Sequence, residues 1–484
     1  MTPVRLMRWN ALVAAMGGMA LRLAWVFRFP VTGAGDSAFY EQLARNWSRY
    51  HVYGLWISGL LQPVDMRVPG YPAFLNIVSL LAGRSHWPAP VMLAQAVLDL
   101  LACFLIAAVA AEFAPSDSRQ RVRIAALWLA VLCPFIANYS AAVLTEVLAC
   151  FLTSLALWIL LRPGALTQLP GGGVPTEVSR TALLLGLVAG CGALVRPETP
   201  LLLISTGLVL AYRCWRPPSW HILIRTGILM AVGLVIPLAP WAARNWITLH
   251  EVQFLNPRYS QLPGEFVAHG MNAWTGTWLW RFRDVYRVSW KVGDEPILLS
   301  DLPQGAFDSP QERQQVSNLL NEYNAVTTLN PVMDAGFSRL AHERTAKDPL
   351  RTFVEIPILR AAAMWFTPRV EYLPYSGKLW PPRTAWRDDP VDFSITLALA
   401  LLNIIFLSLA AVGAWKVRHN PATAFLIAFI LVRTAFFTQT DTPEPRYMLE
   451  CYPAILALGA QAWRGPARGR SHELPAQVSP TGSG

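Results

Sequence analysis

Charged residues are scarce in this sequence. They make up 14% of the 484 residues, whereas hydrophobic residues make up 54%, and a soluble protein carries about 25% charged residues. Long apolar runs recur along the chain, and such runs are typical of segments that cross a membrane. The composition therefore excludes an ordinary soluble protein and predicts an all-α polytopic membrane protein.

The sequence also lacks the cysteine and histidine patterns of a disulfide or metal site. The six cysteines lie in or beside apolar segments, and no Cx2C or HExxH motif is present, so we interpret them as small core residues. A divalent cation is conceivable at four carboxylates, those of Asp36, Asp65, Glu146 and Glu444. Their spacing does not show that they meet, and we predict no metal.

A nucleic-acid partner is not expected, despite the net charge of +10. The chain has no basic tract with interleaved aromatic residues, which a groove for single strands would need. Its basic residues instead form short clusters between apolar runs, as the positive-inside rule predicts. The clusters that share one side are Arg5 and Arg8; Arg119, Arg121 and Arg123; Arg162 and Arg180; Arg213 and Arg216; Lys416 and Arg418; and Arg464, Arg468 and Arg470. That side is predicted to be the cytoplasm, with both termini inside.

Apolar length and basic flanks predict a bundle of about ten transmembrane helices, with a range of nine to twelve. The predicted spans are 9–28, 88–112, 123–140, 144–162, 181–196, 199–213, 222–240, 393–415, 421–438 and 446–463. The first lacks an obvious cleavage site, so we expect a signal anchor. Two shorter segments, 71–82 and 353–366, are predicted as interfacial or re-entrant helices on the outer side. If only 71–82 were counted as a span, every later loop would move to the opposite side of the membrane.

Four regions follow from this topology. They are an N-terminal transmembrane core over 1–240 with a first outer loop at 30–87, a large and mostly helical outer loop at 241–390, C-terminal transmembrane helices at 391–464, and a disordered cytoplasmic tail at 465–484. In the large loop, Ser309, Pro310 and Glu312 form a capping-box signature. The loop tryptophans suit either the headgroup region or the core of a small domain, and both interpretations are open for Trp274, Trp278, Trp280 and Trp290.

Short polar motifs gather on the predicted outer side, where charges beside membrane segments are costly and therefore indicate function. The motifs are "GDSAFYEQLARN" with Asp36 and Glu41, "RVPGYPAFL" with Arg67 and Tyr71, "TE" with Glu146, "LVRPE" with Arg196 and Glu198, "PWAARNW" with Arg244, and "EPRYMLECYP" with Glu444, Arg446 and Tyr447. Their arginines depart from the positive-inside pattern, which indicates an anionic partner.

In this order the motifs resemble those of the membrane-embedded glycosyltransferases of the GT-C fold that use lipid-phosphate sugars. The resemblance is to the bacterial branch near protein mannosyltransferases and lipid A aminoarabinose transferases, and it covers most of the chain, least clearly residues 251–304. It implies a GT-C bundle in a bacterial inner membrane. It also implies transfer of a sugar from a polyprenyl-phosphate donor, such as undecaprenyl phosphate, to a glycan, lipid or protein acceptor at the outer, periplasmic face. The sugar and the acceptor are left open.

The resemblance and its position make Asp36 the expected general base. An alternative is that Asp36 caps a helix over 37–47, and the two roles are not exclusive. Glu41 lies one turn further on and is expected to face water. Glu146, at the tip of a helical hairpin, is expected either to bind the sugar or an acceptor amine or to be an ordinary helix-end charge.

Four arginines are candidates for binding the phosphate, because a guanidinium donates in a bidentate fork and stays charged. We expect two of Arg67, Arg196, Arg244 and Arg446 to do so, with Arg446 and Arg244 foremost. The alternative for each is snorkelling to the interface or pairing with a neighbouring acid, such as Glu198 or Glu444. Tyr71 and Tyr447 would hydrogen-bond the substrate or simply belong to an aromatic belt.

One exposed acid among several arginines fits direct displacement with inversion, because phosphate is already a good leaving group and needs no strong general acid. Retaining glycosidases instead use two close carboxylates. The competing class is a transporter or flippase of lipid-linked sugars. Such a protein is expected to show two matched halves with broken helices at the midplane, and the sequence shows no such halves.

Overall fold

The computed structural model describes residues 3–83, 88–162, 176–215, 220–259 and 265–465. Within these ranges the chain is almost wholly helical, with one two-stranded sheet. The predicted tail, apart from Gly465, and the basic residues Arg216, Arg468 and Arg470 lie outside the described residues.

The N-terminal half alternates long apolar helices with short polar segments. Its elements are α1 (Pro3–Arg28), α2 (Asp36–Tyr50), β1 (Gly54–Ile57), β2 (Leu60–Pro63), α3 (Gly70–Leu81), α4 (Ala89–Glu112), α5 (Arg119–Val131), α6 (Pro134–Ala137), the 3-10 turn Asn138–Ala141, α7 (Glu146–Leu161), α8 (Thr176–Ala193), α9 (Leu201–Cys214) and α10 (Trp220–Leu249). Strands β1 and β2 form an antiparallel hairpin in which Gly54 pairs with Pro63.

The rest of the chain contains short helices, then longer ones. Its α-helices are α11 (His269–Gly276), α12 (Phe282–Arg287), α13 (Pro310–Val326), α14 (Pro331–Lys347), α15 (Ile356–Trp365), α16 (Pro382–Asp388), α17 (Pro390–Lys416), α18 (Pro421–Phe437) and α19 (Tyr452–Gly459). Its other helical turns are Ser289–Lys291, Leu299–Asp301, Gln304–Ala306, the π-helical turn Arg351–Glu355, Pro445–Cys451 and Ala460–Trp463.

A helical segment lies at each of the ten predicted span positions, and the chain is an all-α polytopic membrane protein. Among the described residues, four helices are by themselves long and apolar enough to cross a membrane: Arg8–Arg28, Ala89–Glu112, Trp220–Leu249 and Pro390–Lys416. A fifth candidate is the pair Arg119–Val131 and Pro134–Ala141, bent by 47° at Pro134. The remaining segments are shorter, since prolines and polar turns interrupt them.

Helices α8 and α10 pack through glycine, which lets their backbones approach closely. A Cβ added at Gly186 would lie 2.3 Å from the carbonyl oxygen of Met230, and one at Gly233 would lie 2.4 Å from that of Leu183. Small residues serve this purpose in membrane bundles, where packing rather than hydrophobic burial drives helix association. These glycines therefore fix α8 against the helix that carries Arg244.

An ion pair joins α1 to α4 inside the bundle. The Arg22 Nε donates to Asp99 Oδ2 at 2.6 Å, and the same guanidinium donates to the carbonyls of Gly18 and Val131. Both side chains are fully buried. Opposite charges on consecutive membrane helices satisfy each other, because either one alone would be costly there.

The segment between α10 and α15 has an apolar core of its own, built around Trp274, Val316, Tyr323 and Phe337. Trp274 and Trp278 are buried in this core, while Trp290 is 42% exposed. Of the two interpretations of the loop tryptophans, packing therefore holds for Trp274 and Trp278.

Helix caps organise this segment. The Ser309 side chain accepts from the Glu312 N–H, and Asn330 accepts from the amides at the start of α14. The capping box is incomplete, because the Glu312 carboxylate accepts from the Asp308 N–H rather than from that of Ser309. Asp334 accepts from two successive amides at the start of α11, those of Gly270 and Met271, and so ties α14 to α11.

Candidate active site

Backbone hydrogen bonds join the first two acidic motifs. The Val31 N–H donates to the Ala141 carbonyl at 2.8 Å, and the Val143 N–H donates back to the Val31 carbonyl at 3.0 Å. This short parallel bridge lies just before α2 on one side and just before α7 on the other. It therefore holds Asp36 and Glu146, each the first residue of its helix, at the same end of the bundle.

The "RVPGYP" and "LVRPE" motifs also meet through the backbone. The Gly70 N–H donates to the Leu194 carbonyl at 2.6 Å. A Cβ at position 70 would lie 2.4 Å from that oxygen, so only glycine allows the approach. This contact joins the segment that carries Arg67 to the segment that carries Arg196.

Asp36 lies between two arginines. Its Oδ1 accepts from Arg67 Nη2 at 2.9 Å and its Oδ2 from Arg446 Nη2 at 2.7 Å. The Asp36 side chain retains a quarter of its exposure, so the pair of arginines is reachable from outside the protein. Each carboxylate oxygen thus has its own cation.

The capping role considered for Asp36 is wrong. Helix α2 begins at Asp36 itself, with Gly35 as the preceding cap residue and no side-chain capping hydrogen bond. Gly35 has φ 53, a left-handed conformation that glycine adopts readily. The tight turn aims the carboxylate at the arginines instead of at the amides of α2.

The two arginines set the acidity of Asp36. Burial by itself would raise the pKa of this carboxyl, but the Arg446 and Arg67 guanidiniums outweigh it and lower the pKa below its ordinary value. Opposite charges this close favour the ionised form. Asp36 is therefore a carboxylate at neutral pH, and one that binds protons weakly while both arginines remain.

Arg446 is the centre of the site. Besides Asp36, its guanidinium donates to the Glu444 carboxylate and, through Nη1, to the Tyr372 hydroxyl at 2.9 Å. Glu146 Oε1 lies 3.8 Å from the same Nη1. Tyr447 donates its hydroxyl to Glu444 at 2.8 Å. The "EPRY" motif thus provides a cation with several acids around it.

Arg196 connects the site around Asp36 to further ion pairs. It pairs with Glu146 at 3.0 Å, with Glu198 at 2.7 Å and with Glu450 at 3.2 Å. Glu450 in turn pairs with Arg433 of α18 at 2.6 Å. The result is a continuous network, here called the ion-pair network, which consists of Arg67, Asp36, Arg446, Glu444, Glu146, Arg196, Glu198, Glu450 and Arg433.

Most of the site candidates chosen from the sequence lie in this network. Tyr447 adjoins it through its hydrogen bond to Glu444, whereas Arg244 and Tyr71 lie outside it. Arg244 donates to the carbonyls of Tyr53 and Val64 and lies over the Trp241 ring, so it holds the β-hairpin loop in place. Tyr71 is fully buried and donates to Gln95 Oε1 at 2.6 Å. The structure thus places Tyr71 in the core and not in an exposed aromatic belt.

The expectation that Glu41 faces water is wrong. The Glu41 side chain is buried and accepts from the Thr32 hydroxyl, the Gly33 N–H and Arg45. The loop before α2 folds back over this helix and covers the carboxylate, which has a structural role.

Three residues of the site were not identified from the sequence: Arg433, Glu450 and Tyr372. A signal existed for the first two, because Arg433 interrupts the apolar run of α18 and Glu450 lies within the predicted last span. Charges of opposite sign in neighbouring spans indicate a pair. No local pattern indicated Tyr372, which lies in an irregular segment between α15 and α16.

The carboxylates of the candidate site face arginines. Within the part of the chain that the structure describes, no three His, Cys, Asp or Glu side chains are grouped so as to hold a metal ion. Both oxygens of Asp36 face arginines, and Glu444 also faces Arg446. We derive no step through a metal.

Comparison with known proteins identifies the fold. No protein-family model and no curated protein sequence matches the chain. An oligosaccharyltransferase from Archaeoglobus fulgidus, solved with a tethered acceptor peptide, matches at a TM-score of 0.50 and 12% identity, over 94% of this chain and 49% of that one. ArnT from Cupriavidus metallidurans, solved with undecaprenyl phosphate, matches at a TM-score of 0.35 and 15% identity, over 95% of this chain and 77% of that one.

The likeness to the oligosaccharyltransferase shows that the chain has a GT-C fold. The chain spans about half the length of the oligosaccharyltransferase that it matches. The expected bundle is confirmed, while the roles of individual site residues stay predictions.

Proposed function

We propose that this GT-C membrane protein is a glycosyltransferase that moves a sugar from a polyprenyl-phosphate donor to an acceptor by direct displacement with inversion. The observation that carries the proposal is the Asp36 carboxylate held between Arg67 and Arg446. It combines one base with two cations suited to an anionic leaving group, at one end of a membrane-embedded bundle.

Arg67 and Arg446 are the proposed phosphate ligands. Two guanidiniums that converge on one anionic group present a set of N–H donors, and the phosphate of a lipid donor has oxygens to accept them. Arg196 suits this role less, because its ion pairs are with Glu146, Glu198 and Glu450 and not with Asp36, the proposed base. Arg244 suits it less because its donors are used by backbone carbonyls.

Phosphate binding would free the base. A donor phosphate that takes hydrogen bonds from Arg67 and Arg446 draws these cations away from Asp36 and adds negative charge beside it. Both changes favour the protonated carboxyl, so the pKa of Asp36 rises towards the range in which a carboxylate is an effective base. The donor would thereby complete the catalytic site.

The proposed transfer is one displacement. Asp36 takes the proton from the acceptor O–H or N–H while the acceptor atom bonds to the anomeric carbon of the sugar. The bond from that carbon to the phosphate oxygen breaks, its electron pair stays on the phosphate, and the two guanidiniums stabilise the resulting charge. A single displacement at the anomeric carbon inverts its configuration, whereas retention would need a second displacement through a carboxylate nucleophile.

The proposed location is the outer face of the membrane. The positive-inside pattern puts both termini in the cytoplasm and the segment 241–390 outside. Residues of that segment reach the site directly, since Tyr372 accepts from Arg446 and Arg369 donates to the Pro445 carbonyl. An outer site also fits an acceptor in the cell envelope.

The test is transfer from a labelled polyprenyl-phosphate sugar by the full chain in proteoliposomes. Asp36→Asn should remove the base and lower the transfer rate at least about 100-fold, with donor binding retained. The matched control is Asp294→Asn, which changes an exposed acid of the large loop and should transfer normally. Near-normal transfer by Asp36→Asn would remove Asp36 as the base, and movement of intact donor across the bilayer without loss of its sugar would favour a flippase.

A further inference from the structure

A second polar cluster adjoins Asp36 on the side of Tyr372. The Tyr372 hydroxyl accepts from Arg446 Nη1 at 2.9 Å, while Nη2 of the same guanidinium donates to Asp36 at 2.7 Å. The Tyr372 ring meets the ring of Tyr139, from the turn before α7, edge to face with centroids 5.7 Å apart. Tyr372 is 39% exposed and Tyr139 only 3%, so Tyr372 is at the entrance of the cluster and Tyr139 at its base.

Three oxygens in this cluster are buried without a hydrogen bond to any described residue: the Tyr139 hydroxyl, Glu371 Oε1 and Glu146 Oε2. They are connected through Tyr372. Glu146 Oε1 lies 3.8 Å from Arg446 Nη1, which donates to the Tyr372 hydroxyl, and Tyr372 directly follows Glu371 and packs its ring against that of Tyr139. Buried polar groups are normally paired, and exceptions concentrate where a ligand supplies the missing partner. The three oxygens thus indicate a place for a polar ligand.

The three oxygens can each accept a hydrogen bond from a ligand. Ionised carboxylates only accept, and a tyrosine hydroxyl both accepts and donates. Burial raises the pKa of Glu371, with Arg369 acting in the opposite direction, while the Arg369 guanidinium donates to the carbonyls of Pro445 and Met364. No described guanidinium is therefore hydrogen-bonded to Glu371. Its carboxyl accepts as an anion and both donates and accepts when protonated, so the cluster suits the hydroxyls of a sugar, which also donate and accept.

The cluster adjoins the proposed phosphate ligands, because Tyr372 accepts a hydrogen bond from Arg446. Arg446 contacts Asp36 with one terminal nitrogen and Tyr372 with the other. In a polyprenyl-phosphate sugar the group attached directly to the phosphate is the sugar ring. A phosphate on Arg446 and Arg67 would therefore place the ring hydroxyls at the neighbouring cluster.

We propose that Tyr139, Glu371 and Glu146 form the subsite that binds the sugar ring of the donor through its hydrogen-bond donors, with Tyr372 at its entrance. The inference rests on the proposed transfer from a lipid-phosphate sugar. It separates recognition of the donor into two parts, in which arginines bind the phosphate and acidic and phenolic oxygens bind the sugar.

The experiment compares lipids with and without a sugar. Binding to the purified full chain is measured for sugar-free polyprenyl phosphate and for polyprenyl phosphates that carry a neutral hexose, a neutral pentose or an amino sugar. The wild-type protein should bind at least one sugar-bearing lipid more tightly than the sugar-free lipid. Tyr139→Phe and Glu371→Gln should each weaken the binding of that lipid about tenfold or more and leave the binding of the sugar-free lipid unchanged.

Three outcomes would overturn the subsite: a wild-type protein that prefers none of the sugar-bearing lipids, variants that bind them normally, or variants that lose the sugar-free lipid equally. Tyr212→Phe is the control, because Tyr212 is exposed on α9, a helix apart from the cluster. Unchanged binding of the sugar-free lipid also shows that a variant is folded. Failure of the transferase proposal would look different, since the wild-type protein would then release no sugar from the labelled donor in proteoliposomes.

Discussion

Arg446 Nη2 lies 2.7 Å from Asp36 Oδ2, although 410 positions separate the two residues in the chain. With Arg67 on the other oxygen, this contact turns an acid at the start of a short helix into a carboxylate that is charged, partly accessible and surrounded by the donors that a phosphate requires.

The acid limb of the pH–rate profile should shift when the donor is bound. The lowered pKa of Asp36 applies to the free protein, and kcat/KM for the donor reports free-enzyme groups, whereas kcat reports the bound complex. Phosphate on the two arginines raises the pKa of Asp36, so the loss of rate with falling pH should begin at a higher pH in kcat than in kcat/KM. Coincident limbs in the two profiles would contradict an exchange of arginines between Asp36 and phosphate.

Lysine at the two proposed phosphate ligands should weaken the use of the donor. Arg67→Lys and Arg446→Lys keep the charge but lose the planar fork, and kcat/KM for the donor should fall at least about tenfold for each. Arg244→Lys is the control. It loses hydrogen bonds to the carbonyls of Tyr53 and Val64, so its thermal midpoint should fall while donor affinity changes little. Equal loss of donor affinity in all three variants would indicate that Arg244 also binds the donor.

The buried end of the ion-pair network should be important for stability. Arg433 and Glu450 are both buried and lie 2.6 Å apart. Arg433→Met leaves the buried negative charge of Glu450 with less positive charge beside it. Removing one member of a buried ion pair lowers the free energy of unfolding by about 3 to 5 kcal/mol. The double variant Arg433→Met/Glu450→Gln should be less destabilised than the sum of the two single variants, as measured by unfolding in detergent.

An exposed pair provides the comparison for this cycle. Arg180 and Glu177 lie 3.2 Å apart with both side chains largely accessible, and such pairs contribute about 0 to 1 kcal/mol. Arg180→Met should therefore leave the unfolding midpoint almost unchanged. A shift as large as that of Arg433→Met would show that loss of any arginine side chain has this effect.

Gly270 should not tolerate alanine. A Cβ there would lie 1.9 Å from the Asp334 carbonyl oxygen, whereas one at Gly276, at the other end of α11, meets nothing within 4 Å. Gly270→Ala should force α11 from α14 and lower the unfolding free energy by at least about 1 to 3 kcal/mol. Gly276→Ala should be neutral or slightly stabilising. Thermal unfolding of both variants checks the difference, and equal midpoints would be inconsistent with the close α11–α14 contact.

The sequence predicted the helices and part of the site, because both leave a local signature. Apolar runs of sufficient length predicted the spans, and the capping residue Ser309 predicted the start of α13. Motifs such as "EPRY" also indicated that Arg446 belongs to a site.

Contacts between residues that are distant in the sequence left no such local signature. Glu41 looks like an exposed helical acid until the Thr32–Gly33 turn covers it. Arg244 has the residue type of a phosphate ligand, yet its donors go to backbone carbonyls that only the folded hairpin brings near. Glu371 and Tyr139 lie far apart in sequence, so their proximity required the structure.

The contact between Asp36 and Arg446 also has a consequence for biosynthesis. At about 5 to 20 residues per second, roughly 20 to 80 seconds pass between synthesis of the first member of the contact and synthesis of the second. Until the segment Pro445–Cys451 arrives, the early helices lack a cation on Asp36 Oδ2. The candidate site is thus completed only near the end of translation, and a chain stopped before that segment would lack the arrangement on which activity is proposed to depend.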